Sequence, residues 1–181
     1  KAAGSSLNIH PGTIIKNLSI TVRKGITAPP YFLSLYRSKI LIMDKASLRR
    51  HYRDKRSAIT ASAKEKLEDL MLIQFQKLSI EIPAHIMTYA PIEKFNEFDP
   101  IHITDYCYFK NPGQSLFYPL IPGKAASMQA ILVNDDTVFE TSDFGIDEPA
   151  DGMPMFAEEI DMVIVPLLCF DELGYRVGYG K

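Results

Sequence analysis

The apolar run Met162–Val165 stops at a proline, and past it come Asp171, Gly174, Arg176, Gly178, Gly180 and Lys181. A short run rich in β-branched residues suits a strand buried on both faces. Pro166 cannot donate to a sheet ladder, so the strand is expected to end there. The three glycines admit backbone conformations closed to other residues and expose N–H groups that can converge on an anion. Arg176 and Lys181 add positive charge beside those donors. A strand running into a phosphate-binding loop is one reading; a plain turn fits the same glycine pattern. The spacing is not that of a Walker A loop, because Gly174 and Gly180 enclose five residues rather than four.

A length of 181 residues predicts one domain, with 46% apolar and 23% charged residues in the ordinary range for soluble globular chains. No apolar run approaches the ~20 residues of a membrane-spanning helix, so no membrane association is expected. Cys107 and Cys169 are too few for a disulfide scaffold and lack metal-site spacing, which points to a reducing cytoplasm. His10, His51, His85 and His102 form no cluster, and no protein-ligated metal is expected within the chain. Residues 1–42 hold six basic residues and no acid, leaving 14 basic against 22 acidic residues, a net of −8, over residues 43–181. Such a leader also suggests a nucleic-acid arm or a transit peptide. Its lack of periodicity, and Met43 standing just before the first helix, predict instead a basic leader outside the domain, with the domain at 43–181. No nucleic acid is expected as a partner, and the expected state is a monomer.

Along the chain, Asp44 is placed to cap a helix from Lys45 to about Ala58. Lys45, Arg49, Arg53 and Arg56 recur on one of its faces at helical spacing, as a solvated basic face would. Ser62–Glu65 reads as a capping box opening a second helix to about Leu78, with Leu67, Leu70, Met71, Phe75 and Leu78 as its core stripe. His85–Tyr89, Ser115–Leu120 and Met128–Val133 read as strands, and Phe144–Pro149 as a turn with Glu148 solvated. Between them Glu97 and Asp99 lie in a loop before a short helical stretch, with Asp99 as its cap and Pro100 at the first helical position. Strands alternating with helices predict an α/β domain with a largely parallel central sheet. Ligands of such sheets bind beyond the carboxyl ends of the strands.

Three stretches, in order, resemble the 5-formyltetrahydrofolate cyclo-ligase family, also called methenyltetrahydrofolate synthetases. They are Lys45-x-x-x-Arg49 on the first helix, Glu97-Phe98-Asp99 in the loop, and Phe170-Asp171-x-x-Gly174-x-Arg176-Val177-Gly178-x-Gly180-Lys181 after the last strand. Gly145-Ile146-x-Glu148-Pro149 matches a fourth family stretch. Val177 stands for the family's usual Leu, Leu167 for a Gly and Pro100 for a Thr.

The resemblance implies a three-layer α/β/α fold of the kind shared by sugar-phosphate isomerases and CoA transferases (NagB/RpiA/CoA transferase-like). It also implies a cytoplasmic enzyme that converts 5-formyltetrahydrofolate and ATP, with Mg2+, to 5,10-methenyltetrahydrofolate, ADP and phosphate. By the same resemblance, Lys45, Arg49, Arg176, Val177, Gly178, Tyr179, Gly180 and Lys181 are expected to hold ATP, and Lys181 and Arg176 to act in catalysis. Glu97, Ile92, Tyr179, Gly180 and Lys181 are expected to hold the folate. The family continues past the matching Lys with Gly-x-Tyr-Asp, whose aspartate helps to hold magnesium. A chain ending at Lys181 is therefore expected to bind weakly and turn over poorly until a family-like tail is appended. A folate- or nucleotide-binding protein without turnover, or an inactive fragment of the enzyme, is the alternative function.

Overall fold

The structure, a computed structural model, describes residues 7–8, 18–22, 42–122, 127–143, 145–171 and 174–179, with side chains from Asp44 onward. Strands β1 (Leu7–Asn8), β2 (Leu18–Val22) and β3 (Ile42–Met43) precede helices α1 (Lys45–Ser57) and α2 (Ala61–Lys77). Strand β4 (His85–Met87), helix α3 (Ile101–Lys110), β5 (Ser115–Leu120) and β6 (Gln129–Val133) follow. The chain then forms β7 (Phe139–Thr141), β8 (Asp147–Pro149), β9 (Pro154–Met155), β10 (Met162–Pro166), β11 (Cys169–Phe170) and β12 (Arg176–Val177).

Helix α1 begins where its cap predicts. The Asp44 carboxylate accepts the Ser47 N–H at 2.7 Å, and that bond holds its carboxyl below the ordinary range. Helix α2 starts earlier than the Ser62 box suggests. Thr60, still extended, is the cap, and its hydroxyl accepts the Ala63 N–H at 3.3 Å. Replacing Thr60 with alanine is expected to cost about 1 kcal/mol, read as a lower urea midpoint at unchanged slope.

The buried face of α2 keeps part of the expected stripe, with Phe75 buried and Leu67 and Met71 half-buried, but departs from it elsewhere. Glu68 and Phe75 are buried with Leu72 packed beside them, whereas Leu70 and Leu78 are 51% and 53% exposed. The helix is turned so that the Glu68 carboxylate accepts the Asp99 N–H at 2.8 Å. A leucine count by periodicity alone does not register that polar tie.

The central sheet has the order β2-β10-β4-β5-β6-β9. Strands β10, β4 and β5 run parallel, with Met162 opposite Ile86 and Met87 opposite Phe117. Helix α3 provides the crossover that a parallel β4–β5 pair needs. The parallel centre is flanked by antiparallel strands: β6 and β9 on one side, and β2 along the full length of β10 on the other. Strand β2 belongs to the basic leader, whose other residues lie largely outside those described.

Successive residues of β4 enter different clusters. Ile86 packs with Phe75, Ile103, Cys107, Met162 and Ile164, and Met87 with Phe117, Ala130 and Ile160. Alternation therefore buries both faces of the sheet, as a parallel centre demands. The stretch expected as a turn at 144–149 is one only in part: the Gly145 N–H donates to the Ser142 carbonyl at 2.8 Å in the β7–β8 turn, whereas Asp147–Pro149 forms β8, paired with β7. Glu148 is buried there rather than solvated, its carboxylate 3.5 Å from the Ile121 N–H. Burial pushes the Cys107 thiol up to about 12 and the Cys169 thiol up to about 11, so neither is a ready nucleophile.

Candidate functional site

Two loops leave the carboxyl ends of the neighbouring parallel strands β4 and β10, and helix α1 lies against both. After β10 the chain forms a hairpin of β11 and β12, closed by Leu168 N–H to Val177 C=O at 2.9 Å. The Asp171 carboxylate accepts the Tyr175 N–H at 2.9 Å, and Gly174 takes φ +84° in the turn. This part of the glycine pattern is thus a hairpin turn whose left-handed residue requires glycine. Gly178 is different. Its φ is not left-handed, and a Cβ there would meet no described atom within 4 Å. Neither backbone nor crowding by a described atom accounts for that glycine.

Helix α1 anchors this segment in two ways. Leu48 and Tyr52 bury themselves against Leu168, Cys169 and Val177. Beside them, Arg49 Nε donates to the Gly178 carbonyl at 3.1 Å and Arg53 to the Tyr179 carbonyl at 2.9 Å. Arg56 donates to the Tyr179 hydroxyl, and its guanidinium lies 5.1 Å from the Tyr179 ring centre. Of the four basic residues whose spacing fits a solvated face, Lys45 and Arg53 are exposed, Arg49 is half-buried and Arg56 is buried against the loop.

The loop after β4 closes the other side. A short 3-10 turn, Glu93–Phe95, ends at Asn96, which adopts the left-handed conformation asparagine tolerates. Its side-chain amide donates to the carbonyls of Arg56 and Ile59 at 2.8 and 3.0 Å, stitching the loop to the end of α1. Glu97 follows, 3% exposed, and accepts the Ile92 N–H at 2.8 Å. Its other oxygen stands 3.9 Å from the Arg56 guanidinium. Behind it Tyr89 donates to the Phe98 carbonyl at 2.7 Å. Asp99 accepts the Ile101 N–H at 2.9 Å, but Pro100, expected as the first helical residue, is the N-cap, so α3 begins one residue later than expected, at Ile101.

The electrostatics follow from these contacts. Burial, then the negative charge of Glu97, push the Tyr179 phenol well above its ordinary range. Tyr89 is pushed up in the same way, by desolvation first and then by Glu97. Both rings stay neutral hydrogen-bonding groups at any ordinary pH. The site sets the guanidinium groups of Arg49, Arg53 and Arg56 against the Glu97 carboxylate, an excess of positive charge suited to a polyanion.

The expected site residues are thus distributed unevenly. Arg49, Gly178, Tyr179, Glu97 and Ile92 come together. Val177 joins the core under α1, with its backbone in the hairpin. Lys45 is exposed on the first turn of α1, and Arg176 is exposed on β12. Gly180 and Lys181 lie outside the described residues. Arg53, Arg56 and Asn96 were not expected to act here. Their signals were the continued helical spacing of the arginines and an asparagine directly before Glu97.

The family model for the 5-formyltetrahydrofolate cyclo-ligase family matches residues 42–181. Among solved structures, the chain is similar to 5,10-methenyltetrahydrofolate synthetase from Aquifex aeolicus, at 25% identity and a TM-score of 0.63. That match covers 77% of this chain and 69% of the other. Comparison with curated proteins gave no match.

Proposed function

The chain belongs to the 5-formyltetrahydrofolate cyclo-ligase family, and from that membership we propose that it uses ATP to close 5-formyltetrahydrofolate to 5,10-methenyltetrahydrofolate, releasing ADP and phosphate. The observation that supports this most is the meeting of three arginines, a glycine segment and a buried carboxylate at the ends of two parallel strands. In the proposed reaction the formyl oxygen attacks the γ-phosphorus and ADP leaves, making the formyl carbon electrophilic. The N10 amine then adds to that carbon, and phosphate and a proton depart.

Such chemistry depends on positioning and charge neutralisation more than on a strong base. Arg49, with Lys45 one turn earlier and Arg176 on β12, is assigned to the ATP phosphates. Gly178–Gly180 is assigned as the cradle beside them, with Lys181 offsetting charge that develops during transfer. Glu97 is assigned to the N–H donors of the pterin, with Ile92 and Tyr179 along the same pocket.

Magnesium is usually held by one or two carboxylates together with phosphate oxygens. Glu97 is already committed to the Ile92 N–H and to Arg56, and no group of three His, Cys, Asp or Glu among the described residues is placed to hold a metal ion. No step is assigned to the ion. No helix among the described residues is long and apolar enough to cross a membrane.

A coupled assay of ADP release, with and without 5-formyltetrahydrofolate, tests the assignment. Folate-dependent release is expected. Folate-independent release, or binding of both ligands without turnover, overturns it. Replacing Glu97 with glutamine should weaken folate binding about tenfold, the lower end of what a charge-assisted hydrogen bond contributes. ATP binding should change far less. Calorimetric titration with each ligand separately checks this, and equal losses for both would remove Glu97 from the folate pocket.

A further inference from the structure

We infer that Arg56 is the positioning residue of this site: it holds Glu97 and Tyr179 in register with each other so that the Glu97 carboxylate meets the folate. This inference rests on the assignment of Glu97 to the folate made above.

Arg56 lies in the last turn of α1 and is only 3% exposed. Burying a guanidinium is costly unless its charge and donors are fully matched. They are not. Its distance of 3.9 Å from Glu97 is longer than a hydrogen bond, and its Nε has no partner among the described residues. A well-packed apolar side chain would serve stability as well or better at such a position. What the arginine does provide is a connection between the two loops. Its guanidinium donates to the Tyr179 hydroxyl and stacks on that ring. The same guanidinium faces the Glu97 carboxylate at 3.9 Å, so it stands between the tyrosine and the acid. The Arg56 carbonyl takes the Asn96 amide at 2.8 Å, one residue before Glu97. Side chain and backbone of one residue thus set the orientation of the carboxylate from both ends. Arg56 is not assigned any contact with ATP or with the reacting atoms.

The test is a double-mutant cycle on the full 181-residue chain, read as calorimetric affinity for 5-formyltetrahydrofolate. It uses the unsubstituted chain, R56M, E97Q, R56M/E97Q and R56K. Acting through Glu97, Arg56 gives non-additive losses: R56M weakens folate binding about tenfold alone and less than about twofold when added to E97Q. R56K keeps the charge and regains part of the loss, which a purely space-filling role would not predict. R56M leaves Glu97 buried without its cation and is the variant most at risk of misfolding. R56M/E97Q removes both charges and is expected to melt above it, so the comparison of E97Q with the double variant remains readable. If the unsubstituted chain binds folate and the two losses are additive, or R56M binds as the unsubstituted chain does, the positioning role is overturned alone. If the unsubstituted chain binds no folate, the folate assignment falls, and this role with it.

Discussion

Replacing Phe117 with alanine is expected to remove about 3–5 kcal/mol of stability, the range for emptying a fully buried aromatic site. Phe117 is 1% exposed in β5, which lies between β4 and β6 in the central sheet. Its ring meets that of His85 edge to face, with centres 5.9 Å apart, and packs with Met87, Ala130 and Ile160. Strands cannot close over the resulting void without breaking the ladders on both sides, so the cavity should persist. Domains are stable by only about 5–15 kcal/mol, so the loss is a large share of the whole. At roughly 2–4 °C per kcal/mol for chains of this size, the melting temperature should fall by about 6–20 °C. Thermal and urea denaturation measure both quantities. A loss below about 1 kcal/mol would mean that this face of the sheet is not close-packed.

How far the sequence predicts this molecule depends on whether a feature is set locally or by contacts between distant segments. Helix α1 was legible because Asp44 is a strong local cap, and β10 because an apolar run ends at a proline. The α/β class followed from alternation, and the parallel centre of the sheet agrees with it. The α2 stripe was right at Leu67, Met71 and Phe75 and wrong at Leu70 and Leu78, because Glu68 turns inward to meet the backbone of Asp99, a partner 31 residues away. Strand β8 was read as a turn for a related reason. Its pairing with β7 and the burial of Glu148 come from tertiary contacts that a three-residue strand cannot signal.

The site divides in the same way. Glu97 and the glycine segment were found by motif, each within its own loop. That they lie together follows from strand order, because β4 and β10 are neighbours although α3 and several strands intervene in sequence. By spacing alone the arginines of α1 look like an ordinary solvated face, and the motif singled out only Arg49 among them. Only the packing of Leu48 and Tyr52 against the hairpin decides which way that face points.

Loss of Arg49 should produce the largest functional change, on the order of a hundredfold in ATP affinity on replacement by alanine, or about 2.7 kcal/mol. Two effects combine. Arg49 Nε holds the Gly178 carbonyl at 3.1 Å. Because a peptide unit is planar and trans, turning that carbonyl toward α1 turns the Tyr179 N–H away from it. Arg53 fixes the next carbonyl at 2.9 Å, so the two side chains keep carbonyl oxygens, which would repel phosphate, directed toward the helix. The guanidinium also has five N–H groups and spends one on Gly178, leaving others for phosphate oxygens. Alanine loses the orientation and the charge together, and because one guanidinium supplies both, the combined loss is comparable to one strong charge-assisted hydrogen bond, at the upper part of about 1.5–3 kcal/mol. Lysine should recover part of the charge effect but not the fork that holds carbonyl and phosphate at once, placing it between alanine and arginine. Calorimetric titration with ATP orders the three variants. Circular-dichroism melting should show little difference, because Arg49 is only half-buried and Leu48 and Tyr52 still anchor the helix. If alanine binds ATP as arginine does, Arg49 is a latch between helix and hairpin and the phosphates lie elsewhere.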